Sequence, residues 1–115
     1  MKIAIESNDG VTIKSPFLPT KGYVIYDVNE SDIVGSEYRK SIAQREMAGK
    51  NNPVIEKQND LLNDCSAIIT RGMDRSNVDI FKKEGMDVFI TFKTSTKDAV
   101  KLYIKELLVS HTLTH

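Results

Sequence analysis

The chain has one cysteine, Cys65, in 115 residues. No internal disulfide can form, and the composition fits a reducing, cytoplasmic setting. Histidine is nearly as scarce: His111 and His115, both at the C-terminal end, are the only two. Net charge is also missing, since 16 basic residues balance 16 acidic ones. That balance gives no footprint for nucleic acid or for an anionic membrane. No apolar run approaches the roughly 18–20 residues a membrane span needs. The opening Met-Lys-Ile-Ala-Ile-Glu-Ser turns polar too early for a secretory signal. Internal repeats, low-complexity tracts, zinc-ligand spacings and phosphate-binding glycine loops are all absent from the sequence.

What remains is an ordinary globular composition, 40% apolar and 28% charged, at a length that supports one domain with its own core. Ile3-Ala4-Ile5 is a short apolar run within residues 2–6, closed by the turn signal Asn8-Asp9-Gly10. Residues 11–19 are irregular, because Pro16 and Pro19 exclude a central strand. Tyr23 to Val28 is rich in β-branched and aromatic residues and predicts a second strand. A polar hairpin at residues 29–32 leads to a third strand carrying Ile33, Val34 and Tyr38. Residues 39–52 form a long polar connection of undetermined structure. Asn52-Pro53 starts a helix with apolar Val54, Ile55, Leu61, Leu62 and Cys65.

The stretch from Asp64 to Thr91 reads as a βαβ crossover. A strand at 66–70 is followed by a helix capped by Ser76 with Asp79 and closed by Gly85, then by a strand at 88–90. Ser95 to Asp98 repeats the capping signature before an apolar stripe from Ala99 to Leu108. Lys97, Lys101 and Lys105 fall on the opposite, solvated face. The element order predicts an α/β fold with three α/β/α layers and a mixed five-stranded sheet containing one antiparallel strand. That topology is similar to the ribonuclease H-like motif. Residues 1–115 make a single domain, with 109–115 expected as a frayed tail.

Ligands of open α/β sheets bind outside the carboxyl ends of the strands, which places the loop Arg71-Gly72-Met73 at such an end. Arg71 and Arg75 could contact an anion near the helix start. Cys65, between a helix and a strand, reads as a small buried hydrophobe, or else as the one available thiolate. His111 and His115 are i and i+4; on a helix they would share a face and could share a metal, given a third ligand. A two-metal nuclease would need Glu6, Asp9 and Asp74 to converge.

Several segments together resemble the dinitrogenase iron-molybdenum cofactor biosynthesis (NifX-like) family. They are Met1-Lys2-Ile3-Ala4-Ile5, Phe17 followed by Tyr23 to Val28, Asp64 to Met73, Glu84 to Phe89, and the tail from Leu108 to His115. The resemblance implies a non-catalytic accessory domain that binds an iron-sulfur or iron-molybdenum cofactor precursor. Two departures stand out. Pro16-Phe17-Leu18 replaces a His-Phe-Gly carried by many members, and Ala48-Gly49-Lys50 replaces a His-Gly-x-Gly. Neither proline nor leucine can act as a metal ligand.

Three expectations follow. The first is an accessory domain that binds a metallocluster or other small ligand around Phe17, Leu18, Arg71, Gly72 and Met73, with Cys65 facing the same site and His111 and His115 as further candidate ligands. The second is a protein-partner-binding module without a ligand, marked by an exposed apolar patch. The third is a hydrolase or nuclease built on the three carboxylates.

Overall fold

In the computed structural model of the chain, residues 1–30, 32–41 and 61–113 are described, with side chains through Leu107. The helix expected from Pro53 and the connection through residue 52 fall mostly outside these residues, as does His115. Among these residues, the named elements follow in order: β1 (Lys2–Glu6), β2 (Gly22–Val28), β3 (Ile33–Lys40), β4 (Ala67–Thr70), α1 (Arg75–Lys83), β5 (Asp87–Ile90) and α2 (Thr96–Leu113). The sheet order is β3-β2-β1-β4-β5. β2 runs antiparallel to both neighbours, and β1, β4 and β5 pair in parallel. The expected mixed five-stranded sheet with one antiparallel strand is therefore what the chain builds.

Side-chain alternation divides the strands between two cores. Ile3, Ile5, Val24, Tyr26, Val28, Ala67 and Ile69 pack with Ala99, Val100, Tyr103 and Ile104 of α2. Ala4, Tyr23, Ile25 and Ile68 turn the other way and meet Phe81 of α1, together with Leu62, Cys65 and Met86. Each face of the sheet is thus covered by a helix, which gives the three layers. β1 and β4 are buried along nearly their whole length, as expected for parallel strands covered on both faces. β3 is mostly exposed and polar, which suits an edge.

The helix ends show one agreement and one correction. α2 is capped as its sequence suggests: the Asp98 amide donates to Ser95 Oγ at 3.2 Å. α1 does not start at a Ser76–Asp79 box. Its N-cap is Asp74, whose extended backbone (φ −62°, ψ 147°) precedes the first helical residue Arg75, and its side chain makes no capping bond. The chain turns early because Thr70 Oγ1 receives the Gly72 amide at 3.1 Å, bending the backbone directly after β4. Gly85 ends α1 at φ +84°, the left-handed conformation its position implied. α2 continues through Leu113, so residues 109–113 are helical where fraying was expected. No helix among the described residues is long and apolar enough to cross a membrane.

Candidate functional site

The carboxyl ends of β1 and β4 lie side by side because the strands are parallel neighbours. Their last residues meet: the Thr70 hydroxyl donates to Glu6 Oε1, and the Thr20 hydroxyl donates to Glu6 Oε2 at 3.1 Å. Glu6 is buried, with 7% of its surface exposed. A buried carboxylate survives only when hydrogen-bonded, and two hydroxyls supply that here. Burial, and then the charge of Glu6, push the pKa of the neighbouring Tyr23 phenol well above its ordinary value.

The loop after β1 forms one wall and is heavily braced. Asp9 organises the first turn by accepting from the Val11 amide at 2.8 Å, the Thr12 amide at 2.7 Å and the Thr12 hydroxyl at 2.7 Å. These bonds hold the Asp9 carboxyl well below the usual carboxylate range, the Thr12 amide contributing most. Asn8 clips the far end of the loop, donating to Pro19 O at 3.1 Å and accepting from the Lys21 amide at 2.8 Å. Lys14 is buried, and its ammonium donates to Ser15 O at 3.1 Å and Leu18 O at 2.9 Å. The Leu18 amide returns to Ser15 O at 3.1 Å. Fixed in this way, the loop projects Phe17, 92% exposed, and Leu18, 54% exposed.

The opposite wall is the entry to α1. Gly72, Met73, Asp74, Asn77 and Phe81 face the loop across a cleft of about 550 Å³, with Glu6, Lys14, Tyr23 and Thr20 lining it as well. The walls touch at one end. A side chain at Gly72 would bring its Cβ within 3.1 Å of Pro16 Cβ, so glycine here permits the close approach of the two loops.

Of the residues chosen from sequence, Phe17, Leu18, Gly72 and Met73 come together around this cleft; Arg71 is half-buried beside it and does not line it. The expectation that Cys65 faces the same site fails. Cys65 precedes β4, so it sits at the opposite edge of the sheet, a full strand away, beside the start of β1 where the Ser66 amide donates to Lys2 O. There Arg39 forks onto Asp64 at 2.7 and 2.8 Å and also donates to Glu37 at 2.6 Å and to Leu61 O at 2.9 Å. Burial, followed by the Asp64 charge, pushes the Cys65 thiol up to about 12. It is protonated and packed at neutral pH. The side chain of His111 and the whole of His115 lie outside the described part, so their expected pairing does too.

The carboxylate trio does not assemble either. Glu6 and Asp74 line the cleft, while Asp9 is engaged in its own turn. No group of three His, Cys, Asp or Glu residues placed to hold a metal exists among the described residues. Sequence reasoning passed over Lys14, Thr20, Tyr23, Thr70 and Asn77. Only a charged residue between Ile13 and a proline-bracketed loop hinted at Lys14, and nothing in the sequence marked the others.

The profile of the family described as dinitrogenase iron-molybdenum cofactor matches residues 1–106. No curated protein sequence matches the chain. Among solved structures, PH0822 superposes with a TM-score of 0.73 at 18% identity, covering 92% of this chain and 90% of its own. A provisionally named dinitrogenase from Methanocaldococcus jannaschii gives 0.68 at 17% identity, over 92% of this chain and 89% of its own. The apo orange protein of Desulfovibrio gigas gives 0.69 at 14% identity, over 91% of this chain and 88% of its own. At such identities the superpositions show a shared fold.

Proposed function

The chain belongs to the dinitrogenase iron-molybdenum cofactor family, and from that premise we propose that it is a non-catalytic accessory domain holding a small ligand in the cleft at the carboxyl edge of its sheet. The observation that carries this reading is the cleft itself. It has a volume of about 550 Å³, is walled by a braced loop and a helix entry, and has buried Glu6 and Lys14 on its lining. Small-molecule sites have this character: concave, mainly apolar walls with a few fixed polar groups. The switch from β1 to β4 in the sheet is also where open α/β folds place ligands.

The family suggests a metallocluster precursor as the cargo. Among the described residues the lining supplies no thiolate or imidazole for metal bonds; its one sulfur there is the Met73 thioether. This described lining does not fit a cluster bound through protein–metal bonds. Among the described lining residues the Thr20 hydroxyl rests on the Glu6 carboxylate with no histidine or thiol beside it, and the Lys14 ammonium is turned onto backbone carbonyls. Both features favour carriage over catalysis.

The test is titration of the reduced protein with small organic amines, alcohols and carboxylates and, anaerobically, with tetrathiomolybdate and with iron plus sulfide, read by metal content and by backbone amide shifts. For a probe that binds, shifts concentrated at Thr20, Gly72 and Met73, unchanged in Cys65→Ala, are expected. Binding that disappears in Cys65→Ala, or shifts confined to the opposite edge, would overturn the assignment. A second reading, protein-partner docking, draws on the apolar tip: Phe17 and Leu18 protrude at the cleft rim, and exposed aromatic residues are common interface anchors.

A further inference from the structure

We propose that the cleft selects an organic cation, a small molecule pairing a protonated amine or guanidinium head with an apolar body; this rests on the cleft being the binding site. The chemistry of the walls points there. Glu6 is nine-tenths buried at the cleft and spends one lone pair of each oxygen on Thr70 and Thr20. A carboxylate offers about four acceptor positions, so acceptor capacity remains on both oxygens. Its present partners are neutral hydroxyls, and no basic side chain forms an ion pair with it among the described residues. An incoming ammonium would supply the missing countercharge in a site where desolvation strengthens the pairing.

The remaining charges agree. Asp74 adds a second carboxylate at the mouth. Lys14 is the one cation among the described lining residues, and two of its three protons are directed to Ser15 O and Leu18 O. The described lining therefore carries two carboxylates against one ammonium. The aromatic groups add a further preference. Tyr23 and Phe81 border the cleft but are almost wholly buried, whereas Phe17 stands exposed at its rim; an aromatic face attracts a cation through its quadrupole while offering apolar contact to a hydrocarbon body. An anionic metal-sulfur cluster would instead have to be buried against Glu6, a like-charge contact without a compensating donor set. The family's expected cargo and this chain's lining thus differ in sign.

The experiment is a titration of isotope-labelled, full-length protein at neutral pH with four probes: benzylamine, its neutral isostere benzyl alcohol, benzoate and tetrathiomolybdate. The readout is the backbone amides of Thr20, Gly72, Met73 and Asn77. Benzylamine is expected to shift these amides with an affinity roughly tenfold or more above benzyl alcohol, the margin a charge-assisted hydrogen bond supplies. Glu6→Gln is expected to reduce benzylamine binding to the level of the alcohol. Phe17→Ala, at a side chain 92% exposed and so without folding cost, is expected to weaken benzylamine about threefold. Equal or tighter binding of the alcohol or benzoate would overturn the inference, as would an unchanged benzylamine affinity in folded Glu6→Gln. Tetrathiomolybdate moving these amides while benzylamine does not would leave the cleft as the site and remove its cation preference. Silence of the amides to all four probes would remove both.

Discussion

The Thr70 hydroxyl serves both sides of the cleft. It donates to Glu6 and receives the Gly72 amide, so one side chain fixes the acid at the end of β1 and the turn into α1. Thr70→Val keeps the shape and removes both bonds, leaving a buried carboxylate with one fewer donor. A loss of about 1.5–3 kcal/mol is expected, the range for a hydrogen bond to a charged group, measured as a lower urea midpoint with an unchanged slope. Asp64 and Cys65 set opposite pH limits on the other edge. The Arg39 fork is the main cause of the depressed Asp64 pKa. A folded pKa below the unfolded value gives stability that is complete above the unfolded pKa and is lost as pH falls through the folded one. Asp64→Asn is therefore expected to flatten the acid limb of a urea-midpoint profile below roughly pH 4, and a mutant profile as steep as the wild type would refute the role of the pair. Cys65 is raised to about 12, so its contribution holds below the unfolded thiol pKa, near 8.5, and fades as pH climbs towards the folded value. At roughly pH 8 the native thiol is expected to resist iodoacetamide and to react once the chain is unfolded in urea.

The two helices end by different devices, and the difference bears on what the sequence disclosed. Ser95 caps α2 through the Asp98 amide, so Ser95→Ala is expected to cost about 1 kcal/mol. Gly85 ends α1 at φ +84° with open space where a Cβ would sit. Gly85→Ala therefore meets no clash, only backbone strain, and a loss of about 1–2 kcal/mol is expected. Thermal unfolding of the two variants checks both values. The strands, Gly85 and the Ser95 cap were legible because each rests on local chemistry: β-branched runs, a left-handed turn and a serine before a helix. The start of α1 was not, because Asp74 caps by backbone position alone while Ser76 and Asp79 imitate a box. The site was half legible for the same reason. Gly72, Met73 and Phe17 flank recognisable turns, whereas Lys14, Tyr23 and Thr70 acquire meaning only when β1, β2 and β4 are laid side by side. Cys65 misled because closeness in sequence to Gly72 conceals the length of β4 between them.

At the scale of the molecule, the sheet joins a rigid centre to two exposed margins. β1 is bonded on both sides, to β2 and β4, and its residues Ile3, Ala4 and Ile5 are fully buried between the two cores. β4 is likewise central, while β3 and β5 are the outer strands. The cleft draws its fixed groups from the centre: Glu6 ends β1, Thr70 ends β4, and Tyr23 is the second residue of β2. Its projecting residues Phe17 and Leu18 belong to a loop anchored in the core at Ile13 and held beyond it by side-chain and backbone hydrogen bonds. A site built this way keeps its acid in place even when the margins open. Native-state hydrogen exchange tests the arrangement. Amides of Ile3 to Ile5 and Ala67 to Ile69 are expected to exchange through global unfolding, with protection that follows the urea-derived stability. Amides of β3 and those of Ser15, Phe17 and Leu18 are expected to exchange through local openings that depend little on denaturant. Thr70→Val should lower protection in the central strands by its full stability loss and leave β3 nearly unchanged. Equal protection across β1 and β3 would show that the sheet opens as one unit and that the cleft has no privileged centre.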